Sequence, residues 1–220
     1  MDPREDEKRA AAQAAAALVE DGMWVGLGTG TTVAHFLPAL ARRELDVLCV
    51  ATSPATEQAA RSLGLPVQPF DVMDRLDLTV DGADQVAPDL WLIKGGGGAH
   101  TREKVAATAA DRFVVIVSSD KLVEALGPPI PLEVLRFGLP ATIRALSSLG
   151  EVRRREGELT PDGNVLVDYV GPVGDPRSLT ERFRAIPGVL EDGLFEPGLV
   201  SEVLVGRADG SVDHLAPDGG

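Results

Sequence analysis

Residues 23–32 have the sequence MWVGLGTGTT, and this segment decides the fold. Its apolar first half, Met23 to Leu27, predicts a buried strand, and the spacing of apolar residues from Thr32 to Leu45 predicts a helix directly after it. The glycines in between let the backbone turn sharply and approach an anion closely. Free amides at the helix start, together with the threonine hydroxyls, can donate to that anion. We therefore predict a phosphate-binding loop between a strand and a helix.

The same segment allows two other interpretations. It could be a tight strand-to-helix turn without a ligand, since it is not a Walker loop. It could also belong to a dinucleotide-dependent oxidoreductase, but Gly26-x-Gly28-x-x-Thr31 lacks the third small residue of that fingerprint. The next predicted strand runs into Thr52 and Ser53 rather than into an acidic residue that would bind a ribose. The sequence therefore disfavours the oxidoreductase.

Strands and helices alternate through the first half of the chain. An alanine-rich helix comes first, with Pro3 in its first turn, Ala10 to Leu18 as its body and Asp21-Gly22 as its stop. The further predicted strands are Val47–Ala51, Leu76–Val80, Leu90–Lys94 and Phe113–Val117, and the further predicted helices are Pro54–Leu63 and Arg102–Ala110. This alternation predicts a Rossmann-like α/β domain with a parallel sheet covered on both faces.

The order of elements changes after Gly127-Pro128-Pro129, which we take as a domain boundary. The elements that follow are strand Leu132–Phe137, helix Ala141–Leu149, strands Glu151–Arg155 and Asn164–Val170, helix Leu179–Ile186 and strand Val189–Phe195. This β-α-β-β-α-β order predicts a smaller ferredoxin-like α+β domain over residues 130–200. Strands Ser201–Val205 and Ser211–Leu215 are expected to return to the first sheet, so that residues 1–129 and 201–220 form the α/β domain. The run Arg153 to Arg155 is interpreted as a solvated face.

Composition limits the classes of partner. With 220 residues, 44% of them hydrophobic, the chain can bury one large or two modest cores. A net charge of −13 argues against nucleic acid or an anionic membrane as the main partner. The single cysteine, Cys49, excludes an internal disulfide framework, and a charged start from Met1 to Arg9 is unlike a targeting segment, so we expect a cytoplasmic protein. Its three histidines are too scattered in sequence for a metal site.

Two carboxylates follow the predicted strand Leu76–Val80, in the sequence Asp81-Gly82-Ala83-Asp84. Open α/β sheets bind ligands at the carboxyl ends of their strands. Carboxylates placed there can hydrogen-bond sugar hydroxyls and move protons, and Gly82 permits the turn that presents them. An Asp-rich turn that caps a helix would have the same composition, so both interpretations stay open here.

Four consecutive glycines follow Lys94 in the sequence Lys94-Gly95-Gly96-Gly97-Gly98. Their conformational entropy is costly to restrict, which indicates a close approach of the backbone to a ligand or to another strand. Glu103 then lies in the first turn of the next predicted helix, where the helix dipole favours an ionised carboxylate. Taken alone, however, Glu103 is better explained as a capping residue at the start of that helix.

Taken together, four segments resemble type A ribose-5-phosphate isomerase. These are Gly28-Thr29-Gly30-Thr31-Thr32, Asp81-Gly82-Ala83-Asp84, Lys94-Gly95-Gly96-Gly97 and Thr101-Arg102-Glu103-Lys104. The resemblance continues through Asp162-Gly163-Asn164-Val165, Ile186-Pro187-Gly188-Val189 and Gly193-Leu194-Phe195. It implies an aldose-ketose isomerase without a cofactor or metal, which interconverts ribose 5-phosphate and ribulose 5-phosphate through an enediolate, and it implies a homodimer.

The resemblance also implies roles for individual residues. Glu103 would be the base that carries a proton between C1 and C2. Thr29, Gly30, Thr31 and Thr32 would hold the phosphate with Lys8 and Lys121, Asp81 would help to open the furanose ring, and Lys94 and Asp84 would organise the sugar oxygens. The substrate-binding set is completed by Gly82, Ala83, Gly95, Gly96 and Gly97. Of 21 basic residues only four are lysines, Lys8, Lys94, Lys104 and Lys121, and all stand where the family has lysine.

The chain departs from the family pattern at a few positions. Thr31 stands where the family usually has serine, Gln85 replaces a glutamate, and His100 occupies an apolar position. Ser118-Ser119-Asp120-Lys121 rearranges a segment that usually has the order Asp-x-Ser-Lys. A non-catalytic sugar-phosphate sensor is the alternative from another class, but regulators of that kind carry a DNA-binding element that does not fit this acidic chain.

Overall fold

The computed structural model describes residues 3–71, 73–157 and 159–217. The helices within them are α1 (Pro3–Ala17), α2 (Val33–Ala41), α3 (Pro54–Ser62), α4 (His100–Ala109), α5 (Leu139–Ser147) and α6 (Pro176–Arg184). The strands are β1 (Trp24–Leu27), β2 (Leu48–Ala51), β3 (Leu76–Asp81), β4 (Gln85–Val86), β5 (Leu92–Ile93), β6 (Ala110–Ser118), β7 (Ile130–Val134), β8 (Val152–Arg154), β9 (Val165–Tyr169), β10 (Val189–Asp192), β11 (Leu194–Phe195), β12 (Glu202–Gly206) and β13 (Val212–Leu215).

The largest sheet has the strand order β13-β12-β6-β3-β1-β2. All neighbouring strands are parallel except β13, which pairs antiparallel with β12. The chain passes from β1 to β2 on one side and then crosses to β3 on the other side of β1. The carboxyl ends of β1 and β3 therefore form a topological switch point, which is where open α/β sheets bind ligands. The predicted Rossmann-like α/β class is confirmed, as is the return of the last two strands to this sheet.

Helices and a small sheet cover the two faces of the large sheet. Alternate residues of β6 separate the two cores: Val114 and Ile116 pack in the core that includes α1 and α2, whereas Val115 and Val117 pack with β5, β11 and β12. Burial of apolar side chains on both faces explains the continuous apolar run Phe113 to Val117 in β6. Helix α1 packs very closely, since a Cβ on Gly206 of β12 would lie 1.8 Å from the carbonyl oxygen of Glu7.

The antiparallel sheet has the strand order β10-β7-β9-β8. The sheet order thus places the last of the four strands, β10, beside the first, β7. Helix α5 follows β7 and helix α6 follows β9 in the chain. This is the split β-α-β arrangement, so the predicted ferredoxin-like pattern is confirmed. Its core includes Tyr169 and Phe183, whose rings meet edge to face with centroids 5.1 Å apart.

Two predicted strands were assigned wrongly. Leu90–Lys94 does not enter the parallel sheet: only Leu92–Ile93 is a strand, and it pairs antiparallel with β4 and β11 in a separate three-stranded sheet. Val189–Phe195 is not one strand, because it breaks at Gly193 into β10 and β11, which belong to different sheets. Gly193 is needed at the break, since a Cβ there would lie 2.3 Å from the carbonyl oxygen of Lys94.

The predicted helix Thr32–Leu45 is also too long. It ends at Ala41, and Glu44 has a φ of +52°, which turns the chain toward β2. The division into domains 1–129 with 201–220 and 130–200 stays a prediction, and residues 218–220 lie outside the described part of the chain. Among the described residues, no helix is both long and apolar enough to cross a membrane.

Candidate active site

A cleft lies at the switch point and brings together most of the predicted site residues. Its lining consists of Thr29, Gly30, Thr31, Thr32, Gly82, Ala83, Asp84, Lys94, Gly95, Gly96, Gly97, Glu103 and Lys121. Five separate segments of sequence therefore meet in one place. Of the predicted set, Asp81 lies behind this surface and Lys8 lies outside it.

The loop after β1 is fixed by hydroxyl groups that the sequence analysis did not select. Thr29 Oγ1 lies 2.9 Å from Thr52 Oγ1, and Thr56 Oγ1 donates to the carbonyl oxygen of Gly28 over 2.9 Å. Ser53 caps α3 by accepting from the Thr56 amide. Their sequence position could have indicated this role. Thr52 and Ser53 come directly after β2, and the carboxyl end of β2 lies beside that of the parallel strand β1.

Asp81, at the end of β3, is fully buried with 0% exposure. Its Oδ1 accepts hydrogen bonds from the amides of Thr29 and Gly82, at 3.0 and 2.7 Å. Burial raises the pKa of Asp81, although Lys94 opposes that effect. The alternative of an Asp-rich helix cap is wrong, because Asp81 ends a strand and its carboxylate points into the interior.

Lys94 links two carboxylates. Its Nζ lies 2.9 Å from Asp81 Oδ2 and 3.1 Å from Glu103 Oε2, and it donates to the carbonyl oxygen of Gly82 at 2.5 Å. Its side chain is only 2% exposed. Burial alone would lower the pKa of Lys94, but the two carboxylates outweigh burial and raise it. Lys94 is therefore held as a cation at the floor of the cleft.

Glu103 lies in the first turn of α4 and is 3% exposed. Burial and, after it, the negative charge of Asp81 raise the pKa of Glu103 to about 8, while Lys94 opposes the shift. Ala99 precedes the helix and makes no side-chain cap. The interpretation of Glu103 as a capping residue is therefore wrong: its carboxylate pairs with Lys94 and can take up or release a proton near neutral pH.

The glycine loop packs against the second carboxylate of the Asp81–Asp84 segment. The amide of Gly96 donates to Asp84 Oδ2 over 2.8 Å, and a Cβ on Gly96 would lie 2.8 Å from Asp84 Oδ1. Gly95 and Gly98 have φ values of +103° and +80°, which glycine adopts without strain. The loop backbone therefore approaches the Asp84 side chain closely, and its predicted approach to a ligand stays a prediction.

The four lysines have different surroundings. Lys121 lines the cleft beside the threonine loop, and its Nζ lies 3.7 Å from Asp120 Oδ2. Lys8 lies on α1 and pairs with Glu5 at 2.7 Å. Lys104 points away from the cleft and donates to Glu191 Oε1 over 2.7 Å. Lys94 and Lys121 are thus the two lysines at the cleft.

Three of the departures from the family pattern have defined surroundings in the structure. The amide of Gln85 donates to the carbonyl oxygen of Gly127 and accepts from its N–H, both at 2.8 Å, which a carboxylate could not do. His100 is fully buried, and burial lowers its pKa to about 4, so it is neutral. In the rearranged segment, the amide of Ser119 donates to Glu7 Oε2 over 2.8 Å and ties α1 to the turn that carries Lys121.

Comparisons with known proteins agree with this geometry. The family model for Ribose 5-phosphate isomerase A (phosphoriboisomerase A) matches residues 48–210, and a model of the DeoR C terminal sensor domain matches the shorter range 4–62. Ribose-5-phosphate isomerase A of Rhodopseudomonas palustris (strain HaA2) is 45% identical, covering 94% of this chain and 96% of the relative. Ribose-5-phosphate isomerase A of Caulobacter vibrioides (strain NA1000 / CB15N) is 46% identical over 94% and 97%.

Solved structures give the same result. Ribose 5-phosphate isomerase A from Neisseria gonorrhoeae superposes with a TM-score of 0.93 at 31% identity, covering 98% of each chain. The enzyme from Methanocaldococcus jannaschii superposes with a TM-score of 0.89 at 39% identity, over 95% of this chain and 97% of that one. Fold, cleft and relatives together define an aldose-ketose isomerase that acts on a sugar phosphate. The chain belongs to the ribose-5-phosphate isomerase A family, and it interconverts D-ribose 5-phosphate and D-ribulose 5-phosphate, a reaction of the pentose phosphate pathway.

Proposed function

We propose that Glu103 is the base that carries the proton in this isomerisation and that Lys94 stabilises the charge that develops on the sugar. The observation that carries the proposal is the position of Lys94 Nζ, 2.9 Å from Asp81 and 3.1 Å from Glu103, at the floor of the cleft. A proton next to a carbonyl is removable when a base lies beside it and a cation stabilises the resulting oxyanion. Glu103 and Lys94 supply these two groups side by side.

The steps follow from this arrangement. In the open-chain aldose, the Glu103 carboxylate takes the proton from C2, and the electron pair moves to the carbonyl oxygen on C1 to give an enediolate. Glu103 then returns the proton to C1, while the hydroxyl on C2 gives up its proton and the oxygen on C1 gains one, which leaves the ketose. Atoms and electrons balance within the sugar, so the stoichiometry requires no redox cofactor.

The remaining residues divide between the two ends of the substrate. The Thr29–Thr32 loop and Lys121 hold the phosphate, and the family resemblance adds Lys8, which lies on α1 outside the cleft lining. Asp84 and the Gly95–Gly97 loop orient the sugar hydroxyls, and Asp81, behind Lys94, assists the opening of the furanose ring through that lysine. A solved D-ribose-5-phosphate isomerase, similar to this chain with a TM-score of 0.91 and 36% identity over 97% of this chain, is in complex with phospho-erythronic acid, which supports a cleft that accepts a phosphorylated sugar derivative.

We further propose that the enzyme works as a homodimer in the cytoplasm. The family resemblance supports the dimer, and a single buried Cys49 suits a reducing compartment. Light scattering coupled to size-exclusion chromatography measures the mass, and fractionation of cells locates the protein.

The assignment of Glu103 is tested with Glu103→Gln. Glutamine keeps the size of the side chain but cannot accept the proton, so substrate should still bind while kcat falls by about 10²-fold or more. Proton NMR in D₂O, with metal-stripped protein, follows both turnover and deuterium incorporation at C1 of ribulose 5-phosphate or C2 of ribose 5-phosphate. Glu57→Gln, at a position on α3 where the side chain is 47% exposed, is the control and should behave as wild type. A folded Glu103→Gln enzyme with near-normal turnover and exchange would remove Glu103 as the base and leave Asp81 or Asp84 as candidates.

A further inference from the structure

One arginine of the antiparallel-sheet region reaches the glycine loop of the cleft. Arg155, directly after β8, donates from one terminal nitrogen to the carbonyl oxygens of Gly95 and Gly96, at 3.1 and 3.2 Å. Arg153 and Arg154 are exposed, as expected for a solvated run. For Arg155 that interpretation is wrong, because its side chain crosses to the other sheet's loop.

Asp168 on β9 fixes the orientation of Arg155. The Nε and the second terminal nitrogen of Arg155 donate to the two oxygens of Asp168, at 3.0 and 2.5 Å. This two-point contact aligns the planar guanidinium, so that its remaining nitrogen faces the loop. A lysine has no planar fork and could not bind Asp168 at two points and both carbonyls at once.

The two carbonyl groups belong to peptides whose N–H groups face the other way. In a trans peptide the C=O and N–H bonds point in opposite directions. The peptide group that contains the Gly95 carbonyl also contains the Gly96 N–H, which donates to Asp84 Oδ2 over 2.8 Å. The next peptide group contains the Gly96 carbonyl and the N–H of Gly97, a residue of the cleft lining. A cation on the carbonyl side therefore both orients these amides and strengthens them as donors.

Packing fixes the two ends of the loop more than its middle, because Gly95 and Gly98 are buried against His100 and Leu166, whereas Gly96 and Gly97 are exposed. Gly95, Gly96, Gly97 and Gly98 have no side chains to pack, and glycine has more backbone freedom to lose than any other residue. Gly98 does donate to the carbonyl oxygen of Gly95 over 3.1 Å, but this contact lies within the loop. Hydrogen bonds with Arg155 on one side and Asp84 on the other position the exposed part of the loop relative to the rest of the cleft.

We propose that Arg155, oriented by Asp168, is a positioning residue for the isomerisation: it sets the Gly95–Gly97 amides that hold Asp84 and meet the sugar oxygens. This inference rests on the proposed roles of Asp84 and the glycine loop. It predicts that Arg155 affects the sugar end of the substrate and leaves the phosphate end, built from the Thr29–Thr32 loop, unchanged.

The test compares Arg155→Ala, Arg155→Lys and Asp168→Asn with the exposed control Arg154→Ala. Arg155→Ala should lower kcat/KM for ribose 5-phosphate by about tenfold or more, since small misplacements of reacting groups are costly. Its affinity for inorganic phosphate, measured as competitive inhibition, should stay within about twofold of wild type. Arg155→Lys should restore only part of the loss, Asp168→Asn should show a smaller loss of the same kind, and Arg154→Ala should match wild type.

Two results would overturn the inference. One is an Arg155→Ala enzyme with wild-type kcat/KM; the other is a parallel loss of phosphate affinity, activity and thermal stability, which would mean a general structural role. If Arg155→Ala does not fold, Arg155→Lys and Asp168→Asn decide by the same two measurements. The proposed catalytic roles are tested independently, with variants that keep Arg155. If Glu103 is not the base, Glu103→Gln will show normal turnover, whatever the Arg155 variants do.

Discussion

The Cα atom of Gly28 faces the carboxylate of Asp81 so closely that a Cβ on Gly28 would lie 2.0 Å from both Cγ and Oδ1 of Asp81. The loop proposed to hold phosphate and the carboxylate behind Lys94 are therefore in direct contact. Gly28 is required by this contact rather than by its φ, since it is absent from the glycines of positive φ. Any side chain at position 28 must displace Asp81.

Replacing Gly28 with alanine should therefore damage catalysis and stability together. Gly28→Ala moves Asp81 away from Lys94, and we expect a fall in kcat of about 10²-fold. Overpacking should lower the free energy of unfolding by about 1 to 3 kcal/mol. Steady-state kinetics and urea denaturation measure the two effects. Gly198→Ala is the control, because a Cβ there has no atom within 4 Å; equal behaviour of the two variants would contradict the contact.

The pH dependence of the reaction should move when Asp81 loses its charge. The negative charge of Asp81 raises the pKa of Glu103, which is about 8 in the wild-type protein. In Asp81→Asn that contribution is gone, so the pKa of Glu103 falls and the rising limb of kcat/KM against pH should shift to lower pH. Rates are compared above pH 7, where the substrate phosphate, with a pKa of about 6, stays a dianion.

Asp84→Asn is the matched control for that shift. Asp84 also raises the pKa of Glu103, but it is the smallest of the named influences. The rising limb of kcat/KM for Asp84→Asn should therefore also shift to lower pH, but by less than the rising limb for Asp81→Asn. A limb that moves to higher pH in either variant would show that Glu103 is not the titrating base.

Glu103→Gln should become more stable relative to wild type as the pH rises. The pKa of Glu103 is raised in the folded protein from 4.5 to about 8, so the folded state holds the proton more tightly than the unfolded chain. The stability that this gives is fully present below pH 4.5 and is lost as the pH rises through 8. Glutamine does not titrate, so the variant does not lose this contribution. Between pH 5 and 8.5 the unfolding free energy of Glu103→Gln should rise relative to that of the wild type by on the order of 1 kcal/mol or more. Denaturant unfolding at several pH values measures it, and a pH-independent difference would contradict the shifted pKa.

The phosphate should supply much of the binding energy. The threonine loop at the start of α2 and Lys121 are positioned for an anion, so free ribose should have a kcat/KM at least about 10²-fold below that of ribose 5-phosphate. Lys121→Ala should raise KM for ribose 5-phosphate more than it lowers kcat, and it should leave the slow turnover of ribose unchanged. Similar kcat/KM values for the two sugars would contradict the assignment of the loop.

Local chemistry in the sequence was enough to predict most of the cleft. Gly28 to Thr32 and Asp81 to Asp84 each follow an apolar strand, and the rule that carboxyl ends of parallel strands bind ligands places both segments at one edge. Glu103 was different, because a first-turn glutamate has an ordinary explanation as a cap. Its three-dimensional proximity to Lys94 argues against the cap and supports the proposed role as base.

The errors arose where long-range pairing overrides local pattern. Leu90–Lys94 has the composition of a buried parallel strand, but its partners are β4 and β11, and nothing local specifies them. Arg155 belongs to a charged run, and its contacts with Asp168 and Gly95 depend on the arrangement of two sheets. Thr52 and Thr56 support Thr29 from a neighbouring strand and helix, so their role follows from strand order rather than from spacing.

The placement of β11 has a consequence for protein synthesis. The amide of Lys94 donates to the carbonyl oxygen of Gly193 over 2.9 Å, and Leu194 and Phe195 pair with β5 just before Lys94. A growing chain therefore leaves the ribosome with Glu103, Asp81 and Lys94 all present long before the strand that holds Lys94 has been translated. We therefore expect the site around Lys94 to become complete only after β11 has been synthesised, so that a chain truncated before Gly193 should not turn over substrate.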